Sequence, residues 1–219
     1  TVGEKPKFDF EPKDHVQLGK DLGLLDLERA TKISGNNFSM YRGMGARLVW
    51  GVINFFINEH IQDGYEMIIP PNLVTRDSAY VAGQLPKFEN DVYWTTDGFC
   101  LIPTAETVLT NIFKDEIIDE KDLPKKIFAY TPCYRKEAGS YRANEKGLIR
   151  MHQFNKVEMY QFTTDEKSDE ALEELVKKAE SLVEKLGLHY QTVKLAAGDC
   201  GAGAAKTFDV EVYIPTIDQ

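Results

Sequence analysis

Tyr130-Thr-Pro-Cys-Tyr-Arg135-Lys-Glu137-Ala-Gly-Ser-Tyr141, answered by Gly147-Leu-Ile-Arg150-Met-His-Gln-Phe154, decides how this chain reads. The two segments are a strand, a polar loop and a returning strand. An arginine and a glutamate enter the loop, and a second arginine and a phenylalanine leave it. These four side chains suit one ligand. Two guanidinium groups can hold phosphate oxygens in a fixed fork. A glutamate can accept from an exocyclic amine. A phenyl face can stack on a purine, an interaction worth roughly 1–3 kcal/mol per base elsewhere. The hairpin therefore reads as an ATP site built without a Gly-Lys-Ser phosphate loop.

On a strand, Arg135 and Glu137 stand two residues apart and point to one face. A solvent-facing ion pair would use the same spacing and contribute only about 0–1 kcal/mol. The return strand adds weight to the ligand reading. Arg150, His152, Phe154, Lys156 and Glu158 share one parity, an odd composition for a passive surface. His152 is read as a structural histidine packed beside the hairpin.

Working outward, residues 1 to about 40 are polar with short apolar islands, and Asp26 to Ile33 has the look of a short helix ended by Ser34-Gly-Asn-Asn37. Phe38-Ser-Met40 is a short strand candidate. From about Gly45 to His60 the pattern is helical. Leu48, Val52, Phe55, Phe56 and Ile61 lie on one face, with Val49, Ile53 and Ile57 beside it. So wide an apolar surface predicts two neighbours, one of them in another subunit. Tyr65 to Ile69 is a strand closed by Pro70-Pro71. Strands over 91–94 and 99–102 flank the Thr96-Asp-Gly98 turn. A helix opens at Pro103-Thr-Ala-Glu106 and runs to about Lys114. Lys126 to Thr131 enters the hairpin, and Val157 to Phe162 continues its return.

The clearest helix spans 168 to 186, with Ser168 as its N-cap and Gly187 just past its end. Strands follow over 190–195 and 208–214, around a glycine-rich turn from Gly198 to Gly203. Hairpin-joined strands with inserted helices predict an α+β fold, an antiparallel sheet flanked by helices. Regular strand–helix alternation and a Gly-x-Gly-x-x-Gly after the first strand, both needed for a dinucleotide-binding fold, are absent.

The 219 residues carry 42% hydrophobic and 11% aromatic residues, enough for a packed core, and a net charge of -9. Together with a pI near 5.0, that charge argues against a general nucleic-acid coating protein. No run reaches transmembrane length and no signal-peptide pattern opens the chain, so no membrane association is expected. Cys100, Cys133 and Cys200 have no C-x-x-C spacing, which favours a reducing compartment and a cytoplasmic protein. His15, His60 and His189 are scattered without metal-ligand spacing. No metal site is expected within this chain.

The Thr-Pro-Cys-Tyr-Arg-Lys-Glu opening, the Gly-Leu-Ile-Arg-Met-His-Gln-Phe return and the Lys156-Val-Glu-Met159 that follows resemble motif 2 of seryl-tRNA synthetase, a class II aminoacyl-tRNA synthetase. Gly83-Gln-Leu-Pro-Lys-Phe88, Leu101-Ile-Pro-Thr-Ala-Glu106, Asp122-Leu-Pro124, Gly198-Asp199 and Phe208-Asp-Val-Glu-Val212 resemble further segments of that family, in its order. Gly45 to Pro71 resembles its motif 1. The likeness runs from about Phe8 to the end, and several motifs in order are far more specific than one.

The resemblance implies roles. Arg135, the expected catalytic residue, holds the ATP α-phosphate and the serine carboxylate. Glu137 accepts from the adenine amine, Arg150 contacts the outer phosphates and Phe154 stacks on adenine. Thr104, Glu106 and Glu158 bind serine. Without the family, Thr104 and Glu106 read first as a helix start, and Glu158 as a strand residue paired with Lys156 or Arg135. The implied activity is ATP-dependent formation of seryl-adenylate and transfer to tRNA(Ser), with Mg²⁺ as cofactor and a homodimer formed through about 45–71. Residues 1–40 are then a lead-in, and 41–219 a catalytic domain holding motifs 1 and 2.

The family's N-terminal helical arm and its motif 3, with an acidic magnesium ligand and another arginine, are not matched here. The fold is thus expected to be incomplete at the C-terminus, and adenylation by these 219 residues alone to be impaired. Competing readings are a non-catalytic fragment or paralogue acting in dimerisation or regulation, and an amino-acid ligase with a non-tRNA acceptor.

Overall fold

A computed structural model describes residues 1–137, 147–201 and 203–217. The chain divides into two compact units, His15–Phe162 and Thr1–Asp14 with Thr163–Gln219.

The larger unit opens with α1 (His15–Asp21) and α2 (Leu27–Ser34). The first has no full apolar stripe, which is why its helix is not evident from periodicity. Asp26 caps the second, accepting from the Arg29 backbone N–H at 3.0 Å and from the Arg29 and Arg42 guanidiniums at 2.6 and 3.1 Å. These bonds, the Arg29 backbone bond foremost, hold the Asp26 carboxyl below the usual range. The expected strand at 38–40 reduces to one bridge between Leu25 and Tyr41.

Next comes α3 (Met44–Gln62), the long apolar helix, two residues past its expected end. A side chain on Gly45 would collide with the Leu24 carbonyl, so only glycine lets the helix lie against that segment. The helix leads into β1 (Glu66–Ile68), then β2 (Leu73–Val74) and α4 (Arg76–Val81). Thr75 caps α4 through the Ser78 N–H at 3.2 Å. β3 is Cys100–Leu101 and α5 is Glu106–Leu109. β3 pairs antiparallel with β2. The expected hairpin over 91–102 therefore keeps only bonds such as Leu101 N–H to Tyr93 O at 3.0 Å. α5 is shorter than expected. Beyond it the chain turns through i→i+3 bonds, among them Ile112 N–H to Leu109 O and Lys114 N–H to Asn111 O.

The principal sheet is completed by β4 (Lys125–Tyr134) and β5 (Gln153–Phe162), in the order β1-β4-β5. β4 and β5 are antiparallel over ten paired positions, from Lys125↔Phe162 to Tyr134↔Gln153. β1, however, runs parallel to β4. The sheet is mixed, where a wholly antiparallel one was expected. The connection between β1 and β4 spans residues 69–124, long enough to carry the chain back for a parallel pairing. One face of the sheet is sealed by Val92, Ile102, Ala105, Leu109, Ile127 and Ala129. Leu109 has no exposed surface, and truncating such a leucine typically costs about 2–5 kcal/mol.

The smaller unit holds α6 (Ser168–Lys185) and the antiparallel pair β6 (Tyr190–Lys194) and β7 (Phe208–Val212). Ser168 is the first helical residue and makes no cap bond, because a 3₁₀ turn at Asp165–Lys167 feeds straight into the helix. Gly187 stands at C′ as expected, with φ +70° and its N–H on the Glu184 carbonyl at 2.8 Å. Tyr190 is buried and donates to Glu184 at 2.8 Å; burial first, then Glu184, pushes its hydroxyl up to about 12. Around Gly198 the chain turns through Asp199 N–H to Ala196 O at 2.9 Å; Ala202 lies outside the described residues.

Candidate functional site

The end of β4 and the segment 102–106 are laced together. Tyr134 N–H donates to Ile102 O at 2.9 Å, which sets Pro103-Thr104 beside the point where Arg135 leaves the sheet. Arg135 Nε donates to the Pro103 carbonyl at 3.2 Å, and its guanidinium lies 5.1 Å from the Phe154 ring centre. Its backbone N–H adds one rung to the ladder, on His152 O at 2.9 Å.

From β5, Lys156 and Glu158 project toward the same segment. Glu158 accepts the Thr104 hydroxyl at 2.7 Å and the Glu106 backbone N–H at 3.1 Å. Lys156 Nζ donates to Thr104 Oγ1 at 2.6 Å and to Glu158 at 3.2 Å. Thr104 is buried, while Lys156 and Glu158 are half-buried. Thr104 thus acts as more than a helix start, since its hydroxyl is spent on Glu158 rather than on the amides of α5. Glu106 keeps exposed surface, yet its carboxyl is pushed up, by desolvation first and by neighbouring Glu158 second, against the pull of Lys156.

The geometry departs from the strand reading at Arg135 and Glu137. The ladder stops, and Glu137 adopts φ +55°, a left-handed conformation, so simple alternation no longer applies. Arg150 likewise precedes β5, which begins at Gln153. The two still meet: Arg150 Nε donates to Glu137 Oε2 at 2.5 Å. Ala138-Gly-Ser-Tyr141, which completes the opening segment, lies outside the described residues.

A cavity of about 290 Å³ collects Thr104, Glu106, Arg135, Glu137, Arg150 and Lys156 over a wall of Gln84, Phe88 and Val92. Of the residues singled out in the sequence, Glu158 stands behind it, bonded to Thr104 and Lys156. Phe154 lines a different concavity, about 540 Å³ between α3 and β5, with Phe38, Leu48, Val52 and Phe56, while touching Arg135. His152 is structural in position. Its Nδ1 lies 3.0 Å from the Arg135 carbonyl, and its ring sits near Phe38 and Tyr93. Lys156 and the Pro103 carbonyl are site groups that residue-type reasoning did not assign. The parity shared with Glu158 was the one signal pointing to Lys156.

The arrangement offers a cation to an anionic ligand group through Arg135 and carboxylates to a cationic one through Glu106 and Glu158. Among the described residues no group of three or more His, Cys, Asp or Glu side chains could hold a metal ion. No described helix is long and apolar enough to cross a membrane.

Residues 88–219 match the family model of the tRNA synthetase class II core domain (G, H, P, S and T). Serine--tRNA ligase 2 of Clostridium acetobutylicum is 56% identical over 225 residues, a match covering 100% of this chain and 53% of that protein. A crystal structure of seryl-tRNA synthetase from Pyrococcus horikoshii complexed with ATP superposes with a TM-score of 0.93 at 36% identity, covering 97% of this chain and 48% of that one. The cytoplasmic serine-tRNA ligase of Naegleria fowleri in complex with AMP superposes with a TM-score of 0.88 at 29% identity, covering 92% and 48%. The chain spans about half the length of the curated relatives it matches. The mixed sheet with its flanking helices is the fold these structures share.

Proposed function

The chain belongs to the family of class II tRNA synthetase core domains, and from that premise we propose that it carries the serine- and ATP-binding part of a serine--tRNA ligase. The observation that carries this reading is the Thr104–Glu158–Lys156 network set beside Arg135 in one cavity. A zwitterionic amino acid needs a cation for its carboxylate and carboxylates for its ammonium, and the cavity presents both. The buried Thr104 hydroxyl and the half-buried Glu158 carboxylate also suit a small hydroxylated side chain. Such groups reject alanine because they would be left unpaired.

In this reading Arg135 is the catalytic residue. It grips the serine carboxylate and the α-phosphate of ATP while the carboxylate oxygen attacks phosphorus in line. The bond to the bridging oxygen breaks, and pyrophosphate leaves with the electron pair. Charge building on the α-phosphate falls against a preorganised guanidinium, and most of the acceleration is positioning and electrostatics. Thr104, Glu106 and Glu158 hold the ammonium and hydroxyl of serine. Glu137 accepts from the adenine amine, Arg150 takes the outer phosphates, and Phe154 stacks on adenine. The Glu137–Arg150 pair must open to do this, exchanging one charge-assisted bond for bonds to ATP. In the whole protein a terminal ribose hydroxyl of tRNA(Ser) then takes the seryl group. Mg²⁺ accompanies ATP as cofactor.

Residues 1–40 are assigned as a lead-in and 41–219 as catalytic domain. A homodimer through about 45–71 is supported by exposed apolar side chains there, among them Leu48, Trp50 and Ile69. Free Cys100, Cys133 and Cys200 accord with a reducing, cytoplasmic setting.

Amino-acid-dependent ATP–pyrophosphate exchange by the whole protein tests the proposal. Exchange with serine and not with threonine, alanine or glycine is expected. Exchange driven by another amino acid, or none in a preparation that binds no nucleotide, would overturn it.

A further inference from the structure

Lys156 binds no part of the substrate itself, yet it is bonded to two of the three groups assigned to the ammonium and hydroxyl of serine. Its ammonium donates to Thr104 Oγ1 at 2.6 Å and to Glu158 at 3.2 Å. An ammonium can only donate, so Thr104 Oγ1 accepts from Lys156 with one of its lone pairs, and its single hydroxyl proton is directed away from the ammonium, to Glu158. The second consequence is one of charge. Glu106, Arg135 and Lys156 line the cavity, and Glu158 stands behind it, accepting the Glu106 backbone N–H. Lys156 is the cation bonded to Glu158 and set near Glu106; without it the repulsion that Glu158 exerts on the Glu106 carboxylate loses its local counterweight. The upward push on Glu106 already comes partly from Glu158 and is opposed by Lys156.

Resting on the serine reading above, we propose that Lys156 is a positioning residue for the ammonium end of the amino acid. It fixes the donor direction of Thr104 and, as a neighbouring cation, favours the ionised form of Glu106, so that the ammonium enters without displacing a proton. The groups facing Lys156 are Glu158 on its own strand, Thr104 and Glu106 on the 103–106 segment, Cys133 on β4 and Arg135 just beyond it. Asp91, Glu137 and Arg150 complete the charged lining of the cavity. The Cys133 thiol is pushed up by burial and stays neutral across the range used in the test.

The test compares binding of two probes to the whole protein by calorimetry between pH 6 and pH 8. One is a non-hydrolysable sulfamoyl analogue of seryl-adenylate, and the other is the same compound without its α-amino group. Lys156→Gln is expected to weaken the amino-bearing probe about tenfold at the acidic end and much less at pH 8, the size of one charge-assisted hydrogen bond. The amino-free probe is expected to lose little at any pH, and Lys156→Arg to restore the wild-type profile. Lys156→Met, which keeps the aliphatic stem, answers the same question where the glutamine variant does not fold. Equal loss for both probes at every pH would mean a merely structural lysine and overturn the proposal. Unchanged affinity and slope would overturn it as well. A wild-type protein that binds neither probe would overturn the serine reading itself, and this proposal with it.

Discussion

Two concavities flank the start of β5, and they differ in almost everything but that strand. The smaller, of about 290 Å³, is walled by Thr104, Glu106, Arg135 and Lys156; the larger, of about 540 Å³, by Leu48, Val52, Phe56 and Val157. Alternation explains the split. Lys156 and Glu158 leave β5 toward the segment 103–106, whereas Asn155 and Val157 leave it toward α3. One strand thus serves a site of paired charges and a mainly apolar surface. In the first, geometry matters more than area, since each charge is worth its full strength only beside its partner. In the second, area is the currency and individual contacts are interchangeable. The comparison teaches that single substitutions should strike the polar cavity hard and the apolar groove gradually.

Arg135→Ala is the strongest challenge to that contrast. Serine-dependent pyrophosphate exchange is expected to fall by roughly 10²–10³, as when one preorganised donor to a developing charge is removed. A loss of less than fivefold would place the charge stabilisation elsewhere. Phe154→Ala tests the residue that borders the groove and touches Arg135. The Michaelis constant for ATP should rise on the order of tenfold, in keeping with one lost stacking partner. If self-association changed instead, Phe154 would belong to the groove and not to the nucleotide. Leu48→Asp puts a charge where 61% of a leucine is exposed. Sedimentation velocity should show a dimer weakened by about tenfold or more, with the thermal midpoint of the monomer nearly unchanged. A wild-type monomer at micromolar concentration would remove the dimer assignment.

The smallest effect is expected at Glu106. Its folded carboxyl is raised, so the folded state binds more protons than the unfolded one between the ordinary glutamate value of 4.5 and the raised one. Stability contributed by this site therefore falls as pH rises through that window. Glu106→Gln should flatten the slope of melting temperature against pH from about 4.5 upward. An unchanged slope would show that desolvation of this carboxyl is not felt.

Much of the fold is legible in sequence because its signals are local. The ten-residue strands around the hairpin, the long helix α3 and the amphipathic helix α6 all stand close to where periodicity puts them. What periodicity misses depends on distant partners. β2 has only Leu73 and Val74, and is a strand because Leu101 and Cys100 lie beside it. α1 and α4 are too short to show a stripe of their own. The strand reading of Arg135 and Glu137 fails because Lys136 N–H bonds to the Asp91 carbonyl at 2.8 Å and Glu137 turns left-handed, neither of which a two-residue spacing can foretell.

By itself the sequence determined the longer elements and which residue types cluster around the hairpin, since helix and strand periods and residue chemistry are properties of neighbouring positions. Only the tertiary structure decided that β1 runs parallel to β4, that Phe154 borders the apolar groove while touching Arg135, and that Lys156 directs the hydroxyl of Thr104. Those facts depend on groups far apart in the chain. Thr104 and Lys156 are separated by 52 residues, and a hydrogen bond of 2.6 Å between them exists only because packing of the 103–106 segment against β5 places them together.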